Sequence, residues 1–456
     1  MDWSGRTVLV AGLGVSGFAA ARALLRAGAV VRAVDSGEGE AVRARVRELA
    51  SLGADARAGV SFDASGLLGG VDLLVPSPGL AQGSPLVSAA LTDDLPVWSE
   101  PELAWALSDG QTRLVVVTGT NGKTTTTELL GALLDAPTGG NIGTPLSDLL
   151  LLQSPPTAVA ELSSFQLRFT ETLRPDVAVL LNVAPDHLDW HGGLDAYEAA
   201  KARAWRRSGP HDWLVVGDDD GARRAIRNHP TDARIIEVTR GPVGAGQVGF
   251  VDGRLTVAVD GERVEVAEAG EMRLRGAHNL DNACAAVAAA VALGADPAAL
   301  REPLLGYSAG PHRLALIAQR DGIRWIDDSK ATNPHAAAAA LSSCGGTGAS
   351  IVWIAGGLGK GLEFSELKDP VRAHVRHAIT IGASGPEIGR LARACEIDTT
   401  DAGDLERAVA AARRVARPGD TVLLAPACAS MDQFTDYAER GRVFAALANE
   451  PVEAGS

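Results

Sequence analysis

The stretch Val115-Val116-Val117-Thr118-Gly119-Thr120-Asn121-Gly122-Lys123-Thr124-Thr125-Thr126 constrains the fold more than any other. Three β-branched residues call for a buried strand, the glycine-bracketed turn frees backbone N–H groups to point inward, and Lys123 opens a helix. Such a turn reads as a nucleotide phosphate cradle, with Gly119, Thr120, Asn121, Gly122, Lys123, Thr124 and Thr125 around the phosphates. The spacing departs from the common P-loop, because the first glycine stands three residues before Gly122 rather than five, where Val117 lies. A plain strand-turn-helix remains the alternative.

A chain of 456 residues suggests about three domains at ~150 residues each. With 46% apolar and 21% charged residues it reads as a globular soluble protein, and a net charge of −14 argues against general nucleic-acid binding. Four scattered cysteines lack metal-ligand spacing, which suggests a reduced compartment. The N-terminus runs straight into a strand, and the longest alanine-rich apolar run, 283–293, is shorter than the about 20 residues that a bilayer requires. The expectation is a monomeric cytoplasmic enzyme of small molecules, free of membrane and nucleic acid.

Strands alternate with helices along the chain. Thr7 to Ala11, Gly12-Leu13-Gly14-Val15-Ser16-Gly17 and the helical pattern Phe18 to Ala27 form a strand, a GxGxxG turn and a helix, followed by a strand ending in Asp35. Alone, this predicts a dinucleotide dehydrogenase, although any helix start packed on a strand wants these glycines. Val71 to Val75 runs into Ser77-Pro78-Gly79, either a ligand loop at a strand's carboxyl end or a simple turn. In the middle segment, 157–160 ends in Glu161 and 177–181 ends in Asn182 to His187, both at the edge where the cradle lies. A helix-like run Leu194 to Trp205 carries Lys201, and Phe250 to Val266 alternates as hairpins around Asp252-Gly253 and Asp260-Gly261. Strands at 324–328, 351–357, 378–382 and 421–426 predict a third alternating domain. The expected class is therefore α/β in three domains: a Rossmann-like domain over 1–108, a central P-loop-type parallel-sheet ATPase domain over 109–309, and a Rossmann-like domain over 310–456.

A cradle beside carboxyl-end polar groups specifies phosphoryl transfer, in which positioning and charge neutralisation matter most. Lys123 would neutralise the outer phosphates, and Thr124 and Glu161 are hard oxygen donors suited to Mg2+. Thr124 as a helix cap, and Glu161 as a surface acid, are the plainer readings. From spacing alone His187 and Lys201 read as a structural histidine and a solvated lysine.

The cradle, Asn141-Ile142-Gly143, 182–187, 276–282, His312-Arg313 and 328–333 together resemble the ATP-dependent Mur ligases of peptidoglycan synthesis. Gly12 to Gly17, Glu161 to Leu167 and Pro426 to Phe434 resemble the D-glutamate-adding branch of that family. The resemblance spans the chain in order. It implies that UDP-N-acetylmuramoyl-L-alanine is held by Val15, Ser16, Asp35, Ser36, Ser77 and Gly79, with Asn141, Ser163 and Gln166 from the central domain. It implies ATP on the cradle, with Asn279 and Asn282 near the adenine and Arg313 and Asp328 reaching it from the third domain. D-Glutamate would meet Lys330, Thr332, Lys360, Ser430 and Tyr437, the last standing where the family often has Phe. Glu161, His187 and a CO2-derived carbamate on Lys201 would help to hold two Mg2+ ions, making Lys123, Glu161, His187 and Lys201 the catalytic set. Closure of the third domain would hinge near Ser308 to Pro311. A dehydrogenase, a related ligase for another amino acid or for folate, and a nucleotide-binding regulator are the competing readings.

Overall fold

A computed structural model describes residues 2–63, 65–259, 261–274, 276–345, 351–359 and 361–450. Each α/β stretch of the sequence resolves into its own sheet. The first holds β1 (Thr7–Ala11), β2 (Val30–Val34), β3 (Asp55–Arg57) and β4 (Leu73–Pro76) in the order β3-β2-β1-β4, all parallel. Its first helix spans Val15–Arg26, starting three residues before the expected Phe18 because Gly14 already serves as N-cap. Gly17 lets that helix press onto the strand turn, since a Cβ there would lie 1.9 Å from the Gly12 carbonyl oxygen.

The second sheet contains β5 (Arg113–Thr118), β6 (Thr138–Gly140), β7 (Thr157–Glu161), β8 (Val177–Leu180), β9 (Trp213–Val216), β10 (Arg234–Thr239), β11 (Gln247–Val251), β12 (Arg254–Ala258) and β13 (Val264–Glu268). Their order is β13-β12-β11-β10-β9-β8-β5-β7-β6. From β6 to β11 the pairing is parallel, and β5, β7 and β8 are buried apolar runs, as two-faced burial demands. The hairpin at Asp252-Gly253 turns with both residues at positive φ (49° and 81°) and extends one edge of this sheet antiparallel. The second expected turn residue, Asp260, lies outside the described residues. The helix bearing Lys201 spans Leu194–Ala202 and stops short of Trp205, where successive turns replace it.

The third sheet comprises β14 (Ala315–Arg320), β15 (Ile323–Asp327), β16 (Ile351–Gly356), β17 (Val375–Ile381), β18 (Asp398–Gly403) and β19 (Thr421–Leu424), ordered β14-β15-β19-β16-β17-β18. All neighbours are parallel except β14, which pairs antiparallel with β15.

Packing groups the chain into two compact units: Met1–Val183, Trp190–Glu271 and Asp281–Gly306 form one, and Ala184–Asp189, Met272–Leu280 and Tyr307–Ser456 the other. The first two sheets share a unit because the helix Glu100–Leu107 is riveted into the second. Glu102, fully buried, accepts from Glu171 N (2.8 Å), Thr172 N (2.7 Å), Thr172 Oγ1 (2.6 Å) and Leu173 N (3.1 Å). Arg22 of the first sheet's helix forks onto both oxygens of Asp148 at 2.9 Å, and Arg168 donates to Gln82 at 2.8 Å.

Replacing Glu102 with Ala strands three backbone N–H groups and a hydroxyl. Since a buried unsatisfied donor costs about 1–3 kcal/mol, the expected loss in urea unfolding is ~3 kcal/mol or more. A loss under ~1 kcal/mol would mean that solvent replaces the carboxylate there.

Candidate active site

The cradle forms where β5 ends. Thr120 N donates to Asn182 O (3.0 Å), Asn121 N to Asn182 Oδ1 (2.8 Å), and Asn182 Nδ2 returns to Asn121 O (3.1 Å), so the turn is held by the end of the neighbouring strand. Gly122 caps the helix Lys123–Leu134 at φ 84°, and a Cβ on it would lie 2.3 Å from Asn282 Oδ1. Asn282 therefore lies against the cradle itself. Lys123 Nζ donates to Gly119 O (2.9 Å) and Thr120 O (2.8 Å), while Thr124 and Thr125 are buried at the helix start.

Glu161 reaches the same place by strand register. In the β5–β7 ladder it pairs with Val117, and Leu162 N donates to Val117 O at 3.0 Å. Its side chain is 2% exposed; Oε1 accepts from Asn141 Nδ2 at 2.8 Å, whereas Oε2 is buried with no hydrogen-bond partner. A buried carboxylate oxygen without a donor suits a cation, and with the Thr124 hydroxyl it offers the hard oxygen set that Mg2+ takes. The surface-acid reading of Glu161 is thereby set aside.

Lys201 is not solvated but 1% exposed. Its Nζ donates to Gly119 O at 2.8 Å and lies 4.4 Å from the Tyr197 ring centroid. Tyr197, which sequence reasoning missed, bonds through its hydroxyl to Thr120 Oγ1 at 3.0 Å and packs edge-on to His191. Glu198 holds this helix from behind, accepting from Arg224 (2.8 Å) and Asn228 (2.7 Å). His187 falls in the other compact unit at φ 51°, beside Asp186, which accepts from Asn333 Nδ2 at 3.3 Å.

On the first sheet, Asp35 accepts from Leu13 N (2.5 Å) and Gly37 N (2.7 Å), so it shapes the glycine turn and its own turn together. Gly12, at φ 89°, leaves room only for Ser77, whose Cβ would be 2.6 Å from a Cβ there. Val15 is 58% exposed, Ser16 and Ser77 are half-buried, and Ser36 and Gly79 are exposed around these turns. Ser163 and Gln166 form a capping box on the helix Ser164–Arg168, a structural use of both residues.

In the second unit, Asn279 is buried near the start of the helix Ala277–Ala292. Asp328 accepts from Leu314 N at 3.1 Å, and burial, with Asp327 beside it and Arg313 opposing, pushes its carboxyl up to about 7. Asp327 accepts from Ser329 N (2.9 Å) and meets His312 Nδ1 at 2.6 Å. Lys330 Nζ approaches the Tyr437 hydroxyl (3.4 Å), Thr332 N donates to Lys330 O (2.8 Å), and Ser430 is buried beyond β19. Arg440, unforeseen, is 1% exposed and ties Ser329 Oγ (2.9 Å) and Ser329 O (2.8 Å) to Cys428 O (3.1 Å). Burial lowers its guanidinium to about 10. Lys360 lies outside the described residues.

Three family descriptions match in succession: the Mur ligase MurD-like N-terminal domain over 6–99, the Mur ligase middle domain over 117–290, and the Mur ligase glutamate ligase domain over 312–428. The chain belongs to the Mur ligase family. Among its curated relatives, proteins named UDP-N-acetylmuramoylalanine--D-glutamate ligase are 47% identical in Frankia casuarinae, covering 98% of this chain and 94% of the relative, and 42% identical in Streptomyces avermitilis, covering 97% and 98%. Solved Mur ligases share the fold: MurF of Acinetobacter baumannii (19% identity, TM-score 0.59, 99% of this chain and 92% of that one) and UDP-N-acetylmuramate-alanine ligase MurC of Thermotoga maritima (18%, 0.56, 97% and 98%).

The Asp328 carboxyl carries a sign that can be checked. Because its folded value lies above the ordinary 3.8, the folded chain keeps a proton that the unfolded chain releases. Its contribution to stability is therefore present at acid pH, falls as pH rises towards about 7, and is absent above that. Urea midpoints at several pH values should fall less steeply in Asp328→Asn than in the parent; parallel curves would refute the shift.

Proposed function

We propose that this Mur ligase joins D-glutamate to UDP-N-acetylmuramoyl-L-alanine at the expense of ATP, releasing ADP and phosphate. The observation that carries the reading is Glu161 Oε2, a buried carboxylate oxygen left without a donor one strand away from a lysine-bearing phosphate cradle. The curated relatives' names support the choice of sugar nucleotide and amino acid.

In this reading the cradle N–H groups and Lys123 hold the ATP phosphates, and Asn279, Asn282, Arg313 and Asp328 serve the rest of the nucleotide. The sugar nucleotide's carboxylate takes the γ-phosphoryl group and becomes an acyl phosphate, with ADP departing. The D-glutamate amine then attacks the carbonyl carbon, the tetrahedral adduct expels phosphate, and the amine proton leaves with a base or solvent. Both first partners are anions, so the residues must offset repulsion before they can position anything. Mg2+ held by Thr124 and Glu161 would supply charge neutralisation and a template for the phosphate oxygens. Lys201 as an ammonium has donors only; a carbamate on it would be the second anionic ligand, with His187 a neutral nitrogen donor. Val15, Ser16, Asp35, Ser36, Ser77, Gly79, Asn141, Ser163 and Gln166 are proposed for the sugar nucleotide, and Lys330, Thr332, Lys360, Ser430 and Tyr437 for D-glutamate.

Purified protein should release phosphate only when ATP, Mg2+, UDP-N-acetylmuramoyl-L-alanine and D-glutamate are all present. Equal release with L-glutamate, or without the sugar nucleotide, would refute the assignment. In the same assay Lys201→Ala should lose at least about two orders of magnitude in rate, about 3 kcal/mol of barrier, with partial rescue by short carboxylic acids. Full activity in that variant would dispose of the carbamate.

A further inference from the structure

Glu100 opens the helix Glu100–Leu107 and is 2% exposed. One oxygen, Oε1, accepts from both Ser147 N (2.5 Å) and Ser147 Oγ (2.6 Å), while Oε2 is buried with no hydrogen-bond partner. Of the charged groups, Asp148 on the helix Leu146–Asp148 acts on it; Arg22 on the packed helix Val15–Arg26 pairs with Asp148, and Glu102 stands two residues along its own helix, on another face. Arg22 is taken up by Asp148, and Glu102 by residues 171–173. Burial first, with Asp148 adding repulsion, pushes the Glu100 carboxyl up to about 7. An ionised Glu100 thus works against stability, and a glutamine would accept the same two bonds only as neutral, weaker ones than the charge-assisted pair that a carboxylate accepts. Stability alone gives no reason for a carboxylate at this position.

What it holds leads to the metal-ligand candidate. Ser147 ends an arc that begins at Asn141, and Asn141 is fixed to Glu161 twice, N to O at 2.7 Å and Nδ2 to Oε1 at 2.8 Å. The arc is stiff: Gly140 N donates to Thr144 O at 2.8 Å, and a Cβ on Gly139 would lie 2.4 Å from that same oxygen. Moving Ser147 therefore moves Asn141, and the Asn141 amide decides which Glu161 oxygen is left open. We infer that Glu100 is a positioning residue: its carboxylate anchors the arc Asn141–Ser147 and thereby orients Glu161 towards a divalent cation. This rests on the reading of Glu161 as a Mg2+ ligand given above.

Mn2+ binding in the presence of ATP, followed by electron paramagnetic resonance without turnover, separates the two ideas. Glu161→Gln tests the ligand itself; if it binds Mn2+ like the parent, the metal reading fails irrespective of Glu100. With that reading intact, Glu100→Gln should fold with a midpoint at pH 8 no lower than the parent's, yet bind Mn2+ about fivefold more weakly. Its Mg2+ activation constant and KM for the sugar nucleotide should rise likewise, with KM for D-glutamate unchanged, and the parent's weakening of Mn2+ binding below about pH 7 should disappear. Ser147→Ala removes the hydroxyl bond and leaves the N–H bond, so it should reproduce part of the loss, without adding to it in the double variant. Parental Mn2+ affinity and pH profile in both single variants, or additive losses, would overturn the inference.

Discussion

Lys123 and Lys201 donate to the same carbonyl oxygen, that of Gly119, at 2.9 and 2.8 Å. While Lys201 is unmodified, two ammonium groups share one acceptor at a helix N-terminus whose own N–H groups carry partial positive charge; a carbamate would keep an N–H on that oxygen and reverse the charge of Lys201. In a chain of net charge −14 the Lys123 ammonium and these N–H groups make a local inversion, which gives an anionic substrate a reason to settle there whether or not Lys201 carries a carbamate. The arrangement depends on neighbours that leave the turn no freedom. Asn182 takes up both sides of Asn121, Tyr197 fastens the Thr120 hydroxyl, and Asn282 occupies the space that any side chain at Gly122 would need. The β5–β7 and β5–β8 registers then decide which residues arrive at that edge, and Glu161 and Asn182 are the ones delivered.

Much of this was legible because the central strands are uninterrupted β-branched and alanine runs, which only a doubly covered parallel sheet accommodates. The edges were less legible. β14 is a mixture of exposed and half-buried residues, β18 buries only Ala402, and β10 alternates only in part, so they lack the apolar signal of a buried strand. Among site residues, the cradle was plain because its chemistry is contiguous in sequence. Lys201 looked solvated because alanines flank it on its helix, and nothing local tells that Gly119, 82 positions earlier, lies over it. Tyr197 and Arg440 were missed for the same reason. Each hydrogen-bonds to residues outside its own helix, Thr120 for one and Ser329 with Cys428 for the other. The run Ser99-Glu100-Pro101-Glu102 carries an ordinary helix-start pattern, and only tertiary packing turns its two acids inward.

The buried carboxylates of the first unit differ in how completely they are satisfied, and the difference separates scaffold from chemistry. Glu102 spends both oxygens on four donors, and Glu198 gives one oxygen to Arg224 and the other to Asn228. Neither has anything left for a ligand. Glu161 and Glu100 each use one oxygen and bury the other without a donor. An orphaned acceptor of this kind costs about 1–3 kcal/mol, and solvation cannot recover it in place. The two orphans are joined by one stiff arc, residues 141–147, with Asn141 at one end and Ser147 at the other. Among the described residues, the buried carboxylate oxygens without a partner thus lie along one mechanical line, from the helix that joins the first two sheets to the edge of the phosphate cradle. A fold selected for stability alone would have closed both gaps with an amide or a nearby guanidinium, as it does at Glu198.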